Sequence, residues 1–338
     1  MFKNYVKIAL RTLLRQKLYS VINVFGLSLG ITCGILILLF IKNEVSYDSF
    51  YKNGSSMFSV LTKIRQPNGE FEYFARQPAA LVSALREEFP EIRGLTFYRA
   101  DGATITYGDK IFNERVTFTR ADIIPMFDIE FVKGDPSSAL KNPHDIVLSE
   151  AMAKKYFGDE NPLGKQLRFE TRRGGEDLFV VGVTKALPEN SSLSGFSCLV
   201  DYTNHERYDR TGDNWKTLDG DIVVQLAAGT SAVAFQQKLP AFLQKSYGNL
   251  GKFWEQYKSG GFKYLSAEAT AYQFELRPVS DIYFDAPNRG QLFLQGDPAY
   301  SSILGGIAML VLVIACINFM ILTIARSANR AKEVSTRT

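Results

Sequence analysis

Apolar positions fall into three regimes along this chain. Two stretches are apolar almost without interruption and carry no charge: Val21–Ile41 (VINVFGLSLGITCGILILLFI) and Ser302–Ala325 (SILGGIAMLVLVIACINFMILTIA). About 20 such residues, each rising ~1.5 Å, cover the ~30 Å hydrocarbon core of a bilayer, so both predict membrane-crossing helices. Between them, from Lys42 to Tyr300, the apolar runs are short and mixed with charge, as in a folded, water-exposed head. Ahead of the first run, Phe2, Val6, Ala9, Leu13 and Leu14 recur at spacings of three and four. Lys3, Lys7, Arg11 and Arg15 step every four along another face, which predicts a helix lying at the cytoplasmic membrane surface. The plainer alternative is a basic flank of the first span.

Within the head, Met57–Arg65 reads as a strand, and Pro67-Asn68-Gly69 is a turn signal before a further short strand. Pro78–Phe89 has helical spacing of Leu81, Leu85 and Phe89, and Leu95–Arg99 returns to strand. A second strand–helix–strand unit follows much later, as Asp221–Leu226, a helix over Ala232–Tyr247, and Tyr272–Leu276. Two such units far apart in sequence predict one α/β sub-domain (56–100 and 216–280) with a smaller piece inserted (101–215). The insert offers strands at Thr104–Lys110, Lys110–Thr119, Leu178–Val183 and Phe196–Val200, and a helix over Ser149–Phe157. The fold class expected is α+β: two transmembrane helices bracketing an α/β head.

Charge orients this arrangement. The net charge of +4 divides into +5 over residues 1–20, +3 over 326–338 and −4 over the remainder. Basic residues beside membrane spans mark the cytoplasmic side. Both termini are therefore expected in the cytoplasm and the head outside it. Basic ends beside spans report orientation, so nucleic acid is not an expected partner. The plan is a cytoplasmic amphipathic helix (1–19), a first span (20–41), an extracytoplasmic head (42–300), a second span (301–325) and a cytoplasmic tail (326–338). The first span exceeds the 7–15 apolar residues of a signal sequence and no small-residue cleavage pattern follows it, so it is expected to stay attached.

Within the spans, Gly26, Gly30 and Gly34 line one helix face and permit close helix approach. Asn318 is a polar group in the second span, best relieved by a partner on another helix, with pore lining as the sharper reading. Cys33 and Cys316 lie in the spans, leaving Cys198 as the one thiol of the head, so that its core must hold it without an internal disulfide.

Chemistry is sparse. His144 and His205 lack the spaced partners of a metal site or a triad and are expected at the surface. Gly158–Gln166 (GDENPLGKQ) resembles a phosphate loop only loosely. Five residues separate its glycines, Gln follows its lysine, and a helix precedes it, so it reads as a turn. No catalytic, cofactor-binding or metal-binding residue is expected, and the chain is not read as an enzyme. The aromatics of Lys252–Tyr264 (KFWEQYKSGGFKY) fit either a contact patch or a loop folded onto the head.

Several strings together carry a family resemblance. Tyr5–Gly30 and Ser46–Phe50 (SYDSF) are similar to the opening of MacB/FtsX-type ABC transporter permeases. Leu148–Lys165 (LSEAMAKKYFGDENPLGK), Val180–Ser192 (VVGVTKALPENSS) and Ala315–Val334 (ACINFMILTIARSANRAKEV) resemble the periplasmic core and second span of that family. The resemblance implies a periplasmic core split into a porter-like part and an inserted part. It also implies residence in the bacterial inner membrane, a separate cytoplasmic ABC ATPase subunit and a second permease protomer. Mechanotransmission would then couple ATP hydrolysis to head movement for export of peptides, lipoproteins or drugs. The family continues beyond the string ending at Val334 into further spans, so the sequence is expected to be an amino-terminal portion. An extracytoplasmic two-span sensor is the alternative from another class.

Overall fold

The computed structural model describes residues 17–65, 69–172, 174–193, 196–208, 219–247, 272–284, 288–289 and 296–335. The amphipathic helix expected over 1–19 lies almost wholly outside the described residues, as do the aromatic stretch Lys252–Tyr264 and Pro67-Asn68 of the expected turn. The chain forms two compact units, residues 1–46 with 297–338, and residues 47–296.

The first unit is a pair of helices, α1 (Lys17–Val45) and a long carboxy-terminal helix (Pro298–Ser335). Val24–Val45 and Pro298–Ile321 are long and apolar enough to cross a membrane, and only 11% of either window is buried. Large side chains such as Phe25, Leu36, Leu38, Met309, Leu310 and Ile321 are exposed. A helix serving a soluble core would bury these, so the apolar surface points to a lipid environment. The 38 residues of the second helix extend about 57 Å at 1.5 Å per residue, longer than a span requires.

The second unit is a mixed α/β body. Its strands are β1 (Met57–Arg65), β2 (Phe71–Phe74), β3 (Arg76–Gln77), β4 (Ile92–Tyr107), β5 (Lys110–Thr119), β6 (Phe131–Gly134) and β7 (Asp145–Ser149). They continue as β8 (Gln166–Thr171), β9 (Gly174–Thr184), β10 (Cys198–Asp201), β11 (Gly220–Leu226), β12 (Tyr272–Pro278) and β13 (Asn288–Arg289). The helices are α2 (Ala80–Glu88), α3 (Ile123–Met126), α4 (Glu150–Phe157), α5 (Ala232–Gln236) and α6 (Leu239–Tyr247). The long helix of the first unit is α7.

Four strands pair in the order β12, β1, β11, β4, every neighbour antiparallel. β1 and β4 are thus parallel with β11 between them. That is the split arrangement produced when two strand–helix–strand units interleave. α2 and the α5–α6 pair cover one face, where Phe89 meets Phe235 and Phe242 at ring-centroid distances of 4.9 and 5.1 Å. The helix expected over 232–247 is broken into two. Pro240 lacks an N–H, and in a continuous helix its ring would strike the carbonyl of Gln236, where α5 ends. Gln236 has a second task. Its side-chain amide donates to the Phe274 carbonyl and accepts the Leu276 N–H, taking the place of a neighbouring strand on the outer edge of β12.

Six strands, β4 among them, close on themselves. β4 pairs β5, β5 pairs β10, β10 pairs β7, β7 pairs β9, β9 pairs β8, and β8 returns to β4. The result is a six-stranded barrel. Alternate residues (Ile105, Val116, Phe118, Ile146, Leu148, Leu167, Phe169, Leu178, Val180, Val200) fill it, as period-two strands require. α4 packs Met152, Tyr156 and Phe157 into the same core. It is capped by the Ser149 hydroxyl, which accepts the Met152 N–H at 3.3 Å, and it ends at Gly158 with φ +63°. Sheet and barrel share β4, whose 16 residues run through both. The boundary expected at Asp101 falls inside this strand. A second core, including Met57, Ile123, Phe127, Val147, Leu199, Val223 and Ile282, covers the opposite side of sheet and barrel.

Candidate functional site

Two of the family-like strings are neighbours in space. SYDSF begins the head and PENSS closes the segment after β9, 140 or more residues later. Asp48 donates its backbone N–H to the Asn190 carbonyl at 3.0 Å, and its carboxylate Oδ1 accepts the Ser192 N–H at 2.9 Å. The Tyr51 hydroxyl lies 2.6 Å from the Ser191 hydroxyl oxygen, which also accepts the Leu193 N–H at 3.1 Å. Tyr51 packs edge-on against Phe127 in the second core, at 5.1 Å and 89°. Asp48 is buried at φ +55°, a conformation that aspartate tolerates better than most residues. Its Oδ2 is buried and has no hydrogen-bond partner among the described residues. Burial therefore pushes its carboxyl up to about 6, against the opposing effect of the Ser192 hydrogen bonds.

A second polar cluster lies where sheet and barrel share β4. Arg99 donates to the Asp219 carbonyl at 2.7 Å and to Asp101 Oδ2 at 3.0 Å, and lies 3.9 Å from the Asp219 carboxylate. Asp219 also receives Arg207 at 3.3 Å and the Tyr202 hydroxyl. His205 was expected at the surface and is buried, only 1% exposed, whereas His144 is exposed. The reason is packing: the His205 ring stacks on Tyr202 at 14° and meets Phe118 edge-on. Its Nδ1 accepts the Arg207 N–H at 3.2 Å, which leaves Nε2–H to face Asp101 at 3.4 Å. Burial lowers the His205 pKa, more than Asp101 and Asp219 raise it. For Asp101, burial raises the pKa, but Arg99, the Gly102 N–H and His205 outweigh it and hold the carboxyl at about 2.

Gly158–Gln166 is the turn from α4 into β8. Gly164 donates to the Val180 carbonyl at 2.8 Å, and Lys165 reaches the Tyr107 hydroxyl at 3.2 Å and the Glu160 carboxylate. Among the described residues no group of three His, Cys, Asp or Glu side chains is placed to hold a metal. Cys198 points into the barrel and is fully buried, with its thiol pushed up by burial and by Glu114. In the helix pair, the glycine face of α1 lies against α7: a Cβ built on Gly26 would stand 3.0 Å from Asn318 Nδ2, and one on Gly34 3.3 Å from Leu312 Cδ2. Asn318 is therefore placed at a helix–helix contact. Arg99, Asp219 and Tyr283 belong to no motif in the sequence. The signal for the first is an arginine and an aspartate two residues apart, Arg99 and Asp101, within the strand.

Comparison with known proteins fits this architecture. A sequence model of the MacB-like periplasmic core domain matches residues 20–242. The uncharacterized ABC transporter permease YvrN of Bacillus subtilis (strain 168) is 24% identical over 205 residues, covering 56% of this chain and 48% of that protein. The chain thus spans about half the length of this curated relative. A solved domain of a Porphyromonas gingivalis protein assigned as a permease covers 75% of this chain and 98% of its own, with TM-score 0.54 and 21% identity, a likeness of fold. The periplasmic region of MacB from Actinobacillus actinomycetemcomitans is more distant, at TM-score 0.40 and 14% identity over 68% of this chain and 91% of its own. Because the family match takes in about two thirds of the residues, from inside α1 through the sheet and barrel to α6, this chain belongs to the MacB-like periplasmic core domain family.

Proposed function

We propose that the chain is the membrane-embedded permease part of a MacB-type ABC transporter, in which ATP hydrolysis on a separate cytoplasmic ATPase moves a periplasmic head for export or other extracytoplasmic work. The observation that carries this reading is the extent of the family match, which starts within the first apolar helix and continues through the head. Helix and head therefore belong to one family unit. The homologous permease of Bacillus subtilis supports the same reading.

The parts suit a mechanical role. Close packing along the glycine face makes the two helices a stiff pair, because interfaces of small residues bring backbones together. In the head, β4 runs unbroken through sheet and barrel, so a displacement of one is carried to the other. We assign residues 56–100 and 216–280 to the porter-like part and 101–215 to the inserted part, with β4 as the shared strand. Residues 1–19 and 326–338 face the cytoplasm and the ATPase. A second permease protomer and the lipid bilayer are the other partners, and the chain itself carries out no chemistry.

The test is co-purification. The full-length permease, solubilised in mild detergent, is expected to retain the ATPase subunit encoded beside its gene and to change its ATP turnover. An ATPase that neither binds nor responds to the full-length permease would overturn the assignment.

A further inference from the structure

The first and last residues of the head meet on one side chain. Tyr47, at the start of the second unit, stacks face to face on Tyr283, with ring centroids 3.5 Å apart and planes 11° apart. Gly296, the last residue of that unit, donates its N–H to the Tyr283 carbonyl at 2.8 Å. A Cβ built on Gly296 would stand 2.3 Å from Tyr283 Cε1 and 2.5 Å from Cζ, so only glycine lets the backbone lie this close to the ring.

Tyr283 is itself well fixed. It sits on the 3-10 turn Val279–Phe284 that continues directly from β12, and β12 pairs with β1 from Phe58 to Ile64. Val279 and Ile282 of the same turn are buried in the second core, and Tyr283 is 7% exposed. Phe284 meets it edge-on at 5.0 Å. Around Tyr47 the chain is held independently, by Asp48 and Tyr51 on the 190–193 segment. One buried ring thus receives a residue from each end of a 250-residue body.

We propose that Tyr283 is a clasp that fastens the two ends of the head to each other, so that the chain enters and leaves the head through one fixed point. α1 joins the head by the peptide bond before Tyr47, and α7 by the residues following Gly296. Under the permease reading, on which this consequence depends, motion of either helix is delivered to the head at the same place. The Tyr47 ring lies flat on the buried Tyr283 ring, so parting the two would expose apolar ring surface to water.

The clasp is tested by native-state hydrogen exchange on the full chain in lipid nanodiscs, read at the Gly296 amide, which donates to the Tyr283 carbonyl, and at the Asp48 amide, which donates to the Asn190 carbonyl. Amides of β5 and β7 report on the body of the head. The parent is expected to protect all of them. Tyr283→Ala should speed exchange at both 48 and 296 at least about tenfold while β5 and β7 stay protected, and Tyr283→Phe should behave as the parent. Exchange at 48 and 296 unchanged by Tyr283→Ala would overturn the clasp. Should Tyr283→Ala also speed exchange in β5 and β7, Tyr47→Ala decides, since it leaves the buried ring in place. Faster exchange at 296 in Tyr47→Ala upholds the clasp, and an unchanged rate overturns it. The measurement needs no ATPase, so its failure leaves the permease assignment standing, and failed co-purification leaves the clasp standing.

Discussion

Gly30 of α1 and Ala315 of α7 face each other so closely that a Cβ placed on Gly30 would stand 2.6 Å from the Ala315 methyl carbon. No pair of side chains fits that gap, so the helix contact is specified by the absence of one. Gly30→Ala should therefore lower the thermal midpoint in mild detergent, by the equivalent of about 1–3 kcal/mol for an overpacked contact. Moving the methyl to the other helix tests the cause. Gly30→Ala combined with Ala315→Gly should recover most of the loss, and a double variant no better than Gly30→Ala would contradict this packing.

Asp48 and His205 give the head opposite dependences on pH. The Asp48 carboxyl is raised in the fold from 3.8 to about 6, so the folded state holds a proton that the unfolded state has released. Its contribution is favourable below about pH 4 and is lost as pH rises to about 6, an effect of about 3 kcal/mol at most. Asp48→Asn keeps an oxygen for the Ser192 N–H and should stabilise the protein at pH 8 while leaving it nearly unchanged at pH 4. Urea denaturation at both pH values measures this, and equal effects at the two would refute it.

His205 has its pKa lowered, so stability tied to it is present above the unfolded value near 6.5 and is lost as pH falls below that. His205→Gln should flatten the acid side of the stability profile below pH 6.5 without altering the Asp48 window. Melting curves across pH 5–8 separate the two contributions.

Arg99 joins Asp101 of β4 to Asp219 at the head of β11 and is only 8% exposed. Removing one partner of a buried charge cluster leaves the others uncompensated, which typically costs about 3–5 kcal/mol. Arg99→Met should show a loss of that order in denaturant titrations. Arg99→Lys should recover little of it, because a point charge cannot bridge the Asp219 carbonyl and the Asp101 carboxylate as a planar guanidinium does.

Cys198 lies inside the barrel, so maleimide should leave it unmodified in the native protein and react once denaturant is added. It is thus unsuited to mapping which side of the membrane the head occupies, although its place in the sequence suggests it for that use. The exposed Ile111, near the start of β5, is suited. In intact spheroplasts, Ile111→Cys should react with a membrane-impermeant maleimide, and reaction only after lysis would place the head in the cytoplasm.

Much of the head was legible as pieces. Met57–Arg65, Asp221–Leu226 and the Ser149–Phe157 helix follow from period-two or period-3.6 apolar spacing and local caps, which are properties of a few consecutive residues. The break after Gln236 is signalled just as locally by Pro240, although Phe235, Leu239, Phe242 and Leu243 keep helical spacing across it. What joins the pieces was not legible. The RRGGED turn after Thr171 signals the hairpin with β9, but nothing near Gln166–Thr171 in sequence indicates that this strand also pairs with β4 and so closes a barrel. The burial of His205 is illegible for a related reason. Its polar side chain reads as surface until Tyr202, Phe118 and Asp101 are seen around it.

By itself the sequence determined the two lipid-compatible helices, the α/β character of the part between them and the glycine face, because apolarity, periodicity and side-chain size are written residue by residue. Only the tertiary structure decided that Asp48 meets Ser192, that Arg99 meets Asp219 and that Tyr47 and Gly296 share Tyr283. Those contacts join residues more than 100 positions apart in all but the last, where Gly296 follows Tyr283 closely. Their existence depends on how strands pair and close, and chain-distant pairing leaves no periodic trace in a single sequence.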